Sequence, residues 1–158
     1  MELFVHTTGR LAAILANELA ARKPSTHRML ARGVALQGDP GDLPAQCART
    51  LAAGPPPLTK PEKDRLRYAL TDTLDDYTHA TNPGEREVIA TQLWIETAQA
   101  ELALTGRWIS SGKWLLRELR ESDPAFATRW LAARTAPAPL ATQVLAGAGG
   151  PLFDGYRA

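Results

Sequence analysis

The sequence predicts a mainly α fold, a helical bundle with one short N-terminal β-strand, and three observations carry that expectation. Alanine is the commonest residue and recurs as pairs at 12–13, 20–21, 52–53 and 132–133; it has the highest helix propensity of any residue. β-Branched residues are sparse after Val5 and only 6% of residues are aromatic, which leaves little material for a sheet. Apolar residues recur at spacings of three and four between helix start and stop signals.

The run Glu2-Leu3-Phe4-Val5-His6 is short and apolar, ends at Thr7-Thr8-Gly9, and is expected to be the strand. Nothing later in the chain resembles a partner for it, so its backbone groups would stay unpaired on both edges. Thr7 or Thr8 caps a helix with Leu11, Ile14, Leu15 and Leu19 on one face, ending near Lys23 before Pro24. Ser25 is expected to cap a short helix stopped by Gly33, and a further helix runs from about Pro44 to Ala53, closed by Gly54. Pro55-Pro56-Pro57 is an extended spacer, because consecutive prolines favour polyproline II and donate no hydrogen bonds.

Thr59-Lys60-Pro61-Glu62 is a capping box with proline in the first turn, and its helix runs to about His79. Asn82-Pro83-Gly84 stops it, and Glu85 to Thr105 forms a second long helix, antiparallel to the first because the turn is short. Ser110 or Ser111 can cap a third helix through Arg120, and Asp123-Pro124 opens a fourth through about Arg134. A last helix follows Pro137-Ala138-Pro139 and ends at Gly147. The segments are therefore a strand at 1–6, a small helical region at 7–54, a Pro-rich hinge at 55–58, a helical bundle at 59–147 and a tail at 148–158.

The bulk numbers bound the function classes. With 158 residues and 44% of them hydrophobic, the chain can enclose a core as one domain, or one domain with an appendage. A formal charge of +1 supplies no electrostatic reason to expect nucleic acid or an anionic membrane as a partner. Cys47 is the only cysteine, so neither an internal disulfide nor a Cys-rich zinc site can form. No run approaches the roughly 18 apolar residues of a membrane span, and the segment after Met1 lacks the basic start and long apolar stretch of a signal peptide. The expected location is the cytoplasm.

Several constellations could carry chemistry. Asp72, Asp75 and Asp76 project opposite the apolar face of Leu66, Leu70, Leu74 and Tyr77. They would either help hold a divalent cation or form a solvated acidic face. Glu101 falls on the apolar arc of its helix near Trp94, Thr97 and Ala98. Desolvation would raise its pKa and suit it to act as a general base, unless an arginine pairs with it. Gly106-Arg107-Trp108-Ile109-Ser110-Ser111-Gly112-Lys113-Trp114 is not a P-loop, since its glycine spacing is one residue too long and Trp114 stands where Ser or Thr is needed for magnesium. What remains is a helix N-terminus beside Arg107, Lys113 and Arg117, able to hold a phosphate, or two tryptophan core anchors with cations at the rim. Arg22 and His27 match the Arg-x4-His spacing of a family of helical ribonucleases, but Pro24 and Ser25 between them break the helix face. Cys47 reads as a small buried residue.

Several segments in order carry a wider resemblance: Glu2-Leu3-Phe4-Val5-His6-Thr7, Arg28-Met29-Leu30-Ala31-Arg32-Gly33, Gly54-Pro55-Pro56-Pro57-Leu58, Arg67-Tyr68-Ala69-Leu70-Thr71-Asp72 with Leu74-Asp75-Asp76, and Gly106-Arg107-Trp108 with Gly112-Lys113-Trp114-Leu115. Together they resemble the later part of bacterial nucleotidyltransferase-domain proteins of the DNA polymerase beta-like superfamily. The resemblance implies transfer of a nucleoside monophosphate from an NTP to a hydroxyl-bearing acceptor, with two magnesium ions held by three carboxylates. Glu2 sits where the third of those carboxylates is expected, and residues 1–6 would be the remnant strand of the catalytic core. The Gly-Ser turn and Asp-x-Asp pair that supply the other two are absent from this sequence, and Asp72 and Asp75, three apart on a helix, cannot replace them.

The expectation is a helical part that covers the nucleotide and presents the acceptor, with magnesium bound only in a complete enzyme and no transfer by this chain alone. Arg107, Lys113 and Arg117 would then contact phosphate, Glu101 would act as base, and Asp72, Asp75 and Asp76 would orient the acceptor. The alternative is a non-catalytic helical module that pairs with a separate nucleotidyltransferase chain, as toxin and antitoxin components do, docking through its first strand.

Overall fold

The computed structural model describes residues 4–153, and these are mainly helical. Among them eight α-helices follow in order: α1 Thr8–Ala20, α2 Ser25–Arg32, α3 Leu43–Ala53, α4 Lys60–His79, α5 Pro83–Leu104, α6 Lys113–Ser122, α7 Pro124–Ala132 and α8 Ala138–Gly147. A 3-10 turn, Ala133–Thr135, joins the last two. The expected N-terminal strand is not found among the described residues. Phe4 to Thr7 have no regular structure, and Phe4 and Val5 are 65% and 80% exposed. A strand exists only through a neighbour that completes its hydrogen bonds, and no described segment offers one. Glu2 and Leu3 of that run lie outside the described residues.

The chain divides into two compact units, bounded as Met1–Pro56 with Trp108–Ser110, and Pro57–Arg107 with Ser111–Ala158. Trp108–Ser110, read above within the bundle segment, sit in the first unit. Three bonds place them there: Ile109 N–H donates to the Arg22 carbonyl at 2.8 Å, Trp108 Nε1 to the Leu51 carbonyl at 2.9 Å, and Arg28 Nη1 to Ser110 Oγ at 2.9 Å.

In the first unit Thr7 caps α1 by accepting from Arg10 N–H. The helix stops at Ala20, short of Lys23, because Arg22 turns into the left-handed region at φ 55°. That conformation is disfavoured for a residue with a Cβ. Here Arg22 is fixed by the bond from Ile109 N–H and by its own Nε donating to the Pro56 carbonyl at 2.9 Å. Ser25 does not cap α2. Pro24 holds the cap position without a side-chain bond, and the free N–H groups are taken by Glu18 of α1. Glu18 Oε1 accepts from Thr26 N–H at 2.6 Å and Oε2 from His27 N–H at 3.2 Å. Cys47 of α3 and Trp108 are buried in this unit.

In the second unit the caps at Thr59 and Asp123 act as the sequence predicts, while Asn82, expected only to stop α4, caps α5, which starts at Pro83 and not at Glu85. Thr59 and Glu62 form the reciprocal capping box, Asn82 Oδ1 accepts from Gly84 and Glu85 N–H, and Asp123 Oδ1 accepts from Phe126 N–H. α5 is the central helix, burying Leu93, Ala98 and Leu102 against Leu70 of α4, Leu115 and Leu119 of α6, Phe126 and Trp130 of α7, and Leu140 and Leu145 of α8. Each such large side chain contributes roughly 1.5–3 kcal/mol on burial. α4 and α5 run antiparallel, since Thr73 meets Glu96 and Tyr77 meets Arg86 in opposite chain directions. The segment after α8 is clasped by α4: Arg67 Nε and Nη2 donate to the Gly150 and Gly149 carbonyls at 3.0 and 2.9 Å, and Thr71 Oγ1 accepts from Leu152 N–H at 3.1 Å.

Candidate functional site

The fold places Glu101, a sequence-predicted residue, in a cavity. It is half-buried near the C-terminal end of α5 and lines a space of about 270 Å³ with Thr105, Phe126, Arg129 and Gln143. Burial, joined by the Asp123 charge, pushes its carboxyl up, and Arg129 pulls the other way. The Arg129 guanidinium lies 5.6 Å from the centre of the Phe126 ring. Glu101 therefore combines the two alternatives left open by the sequence: a desolvated carboxylate and a nearby arginine.

The acidic group is solvated. Asp72, Asp75 and Asp76 are all exposed on α4, and Asp75 Oδ1 lies 3.2 Å from His79 Nδ1 one turn on. Among the described residues no three His, Cys, Asp or Glu side chains are arranged to hold a metal ion. Glu2, the carboxylate expected to ligate magnesium and to be catalytic, lies outside the described residues.

The cationic segment is not one loop. Trp108–Ser110 are held in the first unit, and neither serine caps α6, because Ser110 Oγ receives the Arg28 guanidinium. Gly112, at φ 54°, takes the cap position with no side-chain bond. The N–H groups of Trp114 and Leu115 turn onto the carbonyls of Ser111 and Gly112, both at 3.2 Å. Arg107 and Lys113 are exposed, and their charged ends have no partner among the described residues. The Arg117 guanidinium lies 4.8 Å over the Trp114 ring.

In the first unit Arg22 and His27 are both buried, but they serve different partners. Arg22 holds the Pro56 carbonyl, and His27 Nδ1 lies 3.0 Å from Glu18 Oε2. Both positions are explained by support of the backbone. Burial, with the Glu18 charge, pushes the Cys47 thiol up, so it is a poor nucleophile.

A second cavity, of about 400 Å³, was not anticipated by the sequence. Tyr77 of α4, Arg86, Glu87 and Trp94 of α5, and Arg134 and Thr135 of the 3-10 turn are among its walls. The Arg86 guanidinium lies 4.5 Å over the Tyr77 ring. Half of this wall had a signal. In an antiparallel hairpin turning at Asn82, Tyr77 and Arg86 stand about equally far from the turn and must face each other. Arg134 had none, since only the packing of α7 brings it there.

Comparison with protein families, with curated proteins and with solved structures finds no match to the chain.

Proposed function

We propose that this chain is the helical part of a nucleotidyltransferase-type protein, the part that covers the nucleotide and presents the acceptor, and that it transfers no nucleotide by itself. The ordered segments from Arg28 to Leu115 described above support the family. The observation that carries the nucleotide-facing role is the pair of exposed cations, Arg107 and Lys113, whose charged ends have no partner among the described residues, on either side in sequence of the loop leading into α6. Such cations form charge-assisted bonds to a phosphate chain, and Arg117 adds to them. Glu101, desolvated in its cavity, is suited to accept a proton from an acceptor hydroxyl. The magnesium implied by the resemblance has no set of three carboxylates among the described residues, so its ligands belong with the Asp-x-Asp pair of a complete enzyme.

The test is NTP binding by calorimetry together with a label-transfer assay in magnesium. The expected result is measurable NTP binding, weakened about tenfold in Lys113→Ala and Arg107→Ala, the loss of one charge-assisted bond each, with no label transferred. Unchanged affinity in both variants overturns the phosphate assignment. Transfer that is abolished in Glu2→Ala overturns the claim of inactivity.

A second reading, a module that pairs with a separate nucleotidyltransferase chain, is favoured by Met29, Val34 and Leu36, which stand 55%, 83% and 96% exposed in the first unit. Substituting all three with serine would abolish complex formation with such a chain and leave NTP affinity unchanged.

A further inference from the structure

We infer that the cavity between Tyr77, Arg86, Trp94 and Arg134 is a binding site for a small, flat ring that carries an anionic group. The inference stands independently of the function proposed above. Its walls divide by chemistry. Trp94 and Tyr77 line it with aromatic surface, one face of Trp94 being taken by Trp130 and one face of Tyr77 by Arg86, and a planar ring gains by packing against what remains. Arg86 and Arg134 supply two exposed guanidinium groups, the side chains best matched to a carboxylate or phosphate. Arg134 makes no ion pair among the described residues, and Arg86 is engaged only by the Tyr77 ring, so both remain available to an anion. Glu87 adds one acceptor, which suits a ring with an N–H or amino donor.

The rigidity of the wall supports a preformed site. Trp94 is held by its stack on Trp130 and by the bond from its Nε1 to the Trp130 carbonyl, so its ring cannot swing away. A volume of about 400 Å³ admits a ring with one appended charged group and is too small for an extended polymer.

This site is also separate from the cations discussed above. Arg86 stands in the first turns of α5 and Arg107 follows its last turn. Eighteen residues of helix at a rise of about 1.5 Å put the two ends roughly 27 Å apart. One mononucleotide cannot span them.

Two sources share this chemistry: a nucleoside monophosphate and an aryl carboxylate. Titrations of the full chain with 5′-adenosine monophosphate and with benzoate, followed by amide and indole NMR shifts, distinguish them. The expected result is saturable binding of at least one, with shifts confined to residues around Tyr77, Arg86 to Trp94 and Arg134. Binding at this cavity should weaken about tenfold or more in Arg134→Gln and Arg86→Gln, since each removes a charge-assisted contact, and stay unchanged in Lys63→Ala, an exposed cation of α4 outside the cavity. Both arginines are exposed, and retained helical circular dichroism confirms that the variants fold. Binding of the nucleotide alone assigns a ring whose donors meet Glu87, and binding of both assigns aryl anions generally. Absence of saturable binding by either compound, or affinity indifferent to both arginine substitutions, overturns the inference.

Discussion

Trp94 and Trp130 lie face to face with ring centres 4.1 Å apart and planes within 1°, and each indole Nε1 donates to the other residue's backbone carbonyl at 2.7 Å. The two bonds are reciprocal, so the pair locks α5 to α7 through backbone as well as ring surface. Trp130→Phe keeps most of the stacked area and removes one donor. It should cost about 1–1.5 kcal/mol, the worth of one hydrogen bond. Trp130→Ala also empties a buried site and should cost about 3–5 kcal/mol. Urea denaturation of the full chain, followed by circular dichroism, measures both. A Phe variant as unstable as the Ala variant would show that the bond and not the stacking dominates.

Glu18 stabilises the first unit in a pH-dependent way. Burial alone would push its carboxyl up, but the bonds from His27 and Thr26 outweigh that and hold it below the ordinary glutamate range. The folded state then binds fewer protons than the unfolded chain, so this stabilisation is present above the unfolded pKa of about 4.3. It is lost as the pH falls through the lower, folded value. Glu18→Ala should cost about 0.5–2 kcal/mol at neutral pH, the range of a lost helix cap, and should flatten the acid limb of the stability curve. Amide exchange at Thr26 and His27 is the local readout.

Glu101 has the opposite sign. Its carboxyl is pushed up by burial and by Asp123, with Arg129 opposing. The folded state holds the proton more tightly, so the contribution to stability is full below the unfolded pKa and is lost as the pH rises through the raised folded value. Glu101→Gln should therefore make the protein more stable at neutral pH and remove that pH-dependent step. Arg129→Ala should raise the Glu101 titration further. A carboxyl-detected NMR titration of Glu101 decides both, and a downward move in Arg129→Ala would refute the second.

Arg67 holds the segment that follows α8. Its guanidinium donates to the Gly149 and Gly150 carbonyls, while Tyr68 meets the Phe153 ring edge-on at 6.0 Å. Arg67→Ala should cost about 1.5–3 kcal/mol, as for hydrogen bonds to a charged group. It should speed amide exchange at Leu152 without changing exchange in the core of α5. Gly149 and Gly150 take φ 104° and 87°, which side-chain-bearing residues rarely adopt. Gly150→Ala should therefore loosen the same segment, and unaltered Leu152 protection in both variants would show that the clasp is dispensable.

The parts of the fold that were legible share a short range. The Thr59–Glu62 box and the Asp123 cap each link residues three apart, so the signal and its partner stand together in the sequence. The strand at Phe4 and Val5 failed for the converse reason, since a strand is defined by a partner and no described segment supplies one. Ser25 failed as a cap because a carboxylate from another helix, Glu18, supplies the oxygen. Of the candidate site residues, the exposure of Asp72, Asp75 and Asp76 follows from the apolar stripe opposite them, and the burial of Glu101 follows from its place on the helical wheel. The cavity at Tyr77 and Arg134 was hidden, because its walls come from residues up to fifty-eight positions apart.

By itself the sequence determined the helices, their order and, to within two or three residues, their ends, because helix propensity, caps and apolar period act within a few residues. Tertiary structure decided what could be read only across distance. It drew Trp108–Ser110 to the first unit through Arg22, Arg28 and Leu51, clasped Gly149 and Gly150 with Arg67, and stacked Trp94 on Trp130. Each joins groups separated by about thirty to ninety residues. Whether such groups meet depends on how whole helices pack, which no local pattern records.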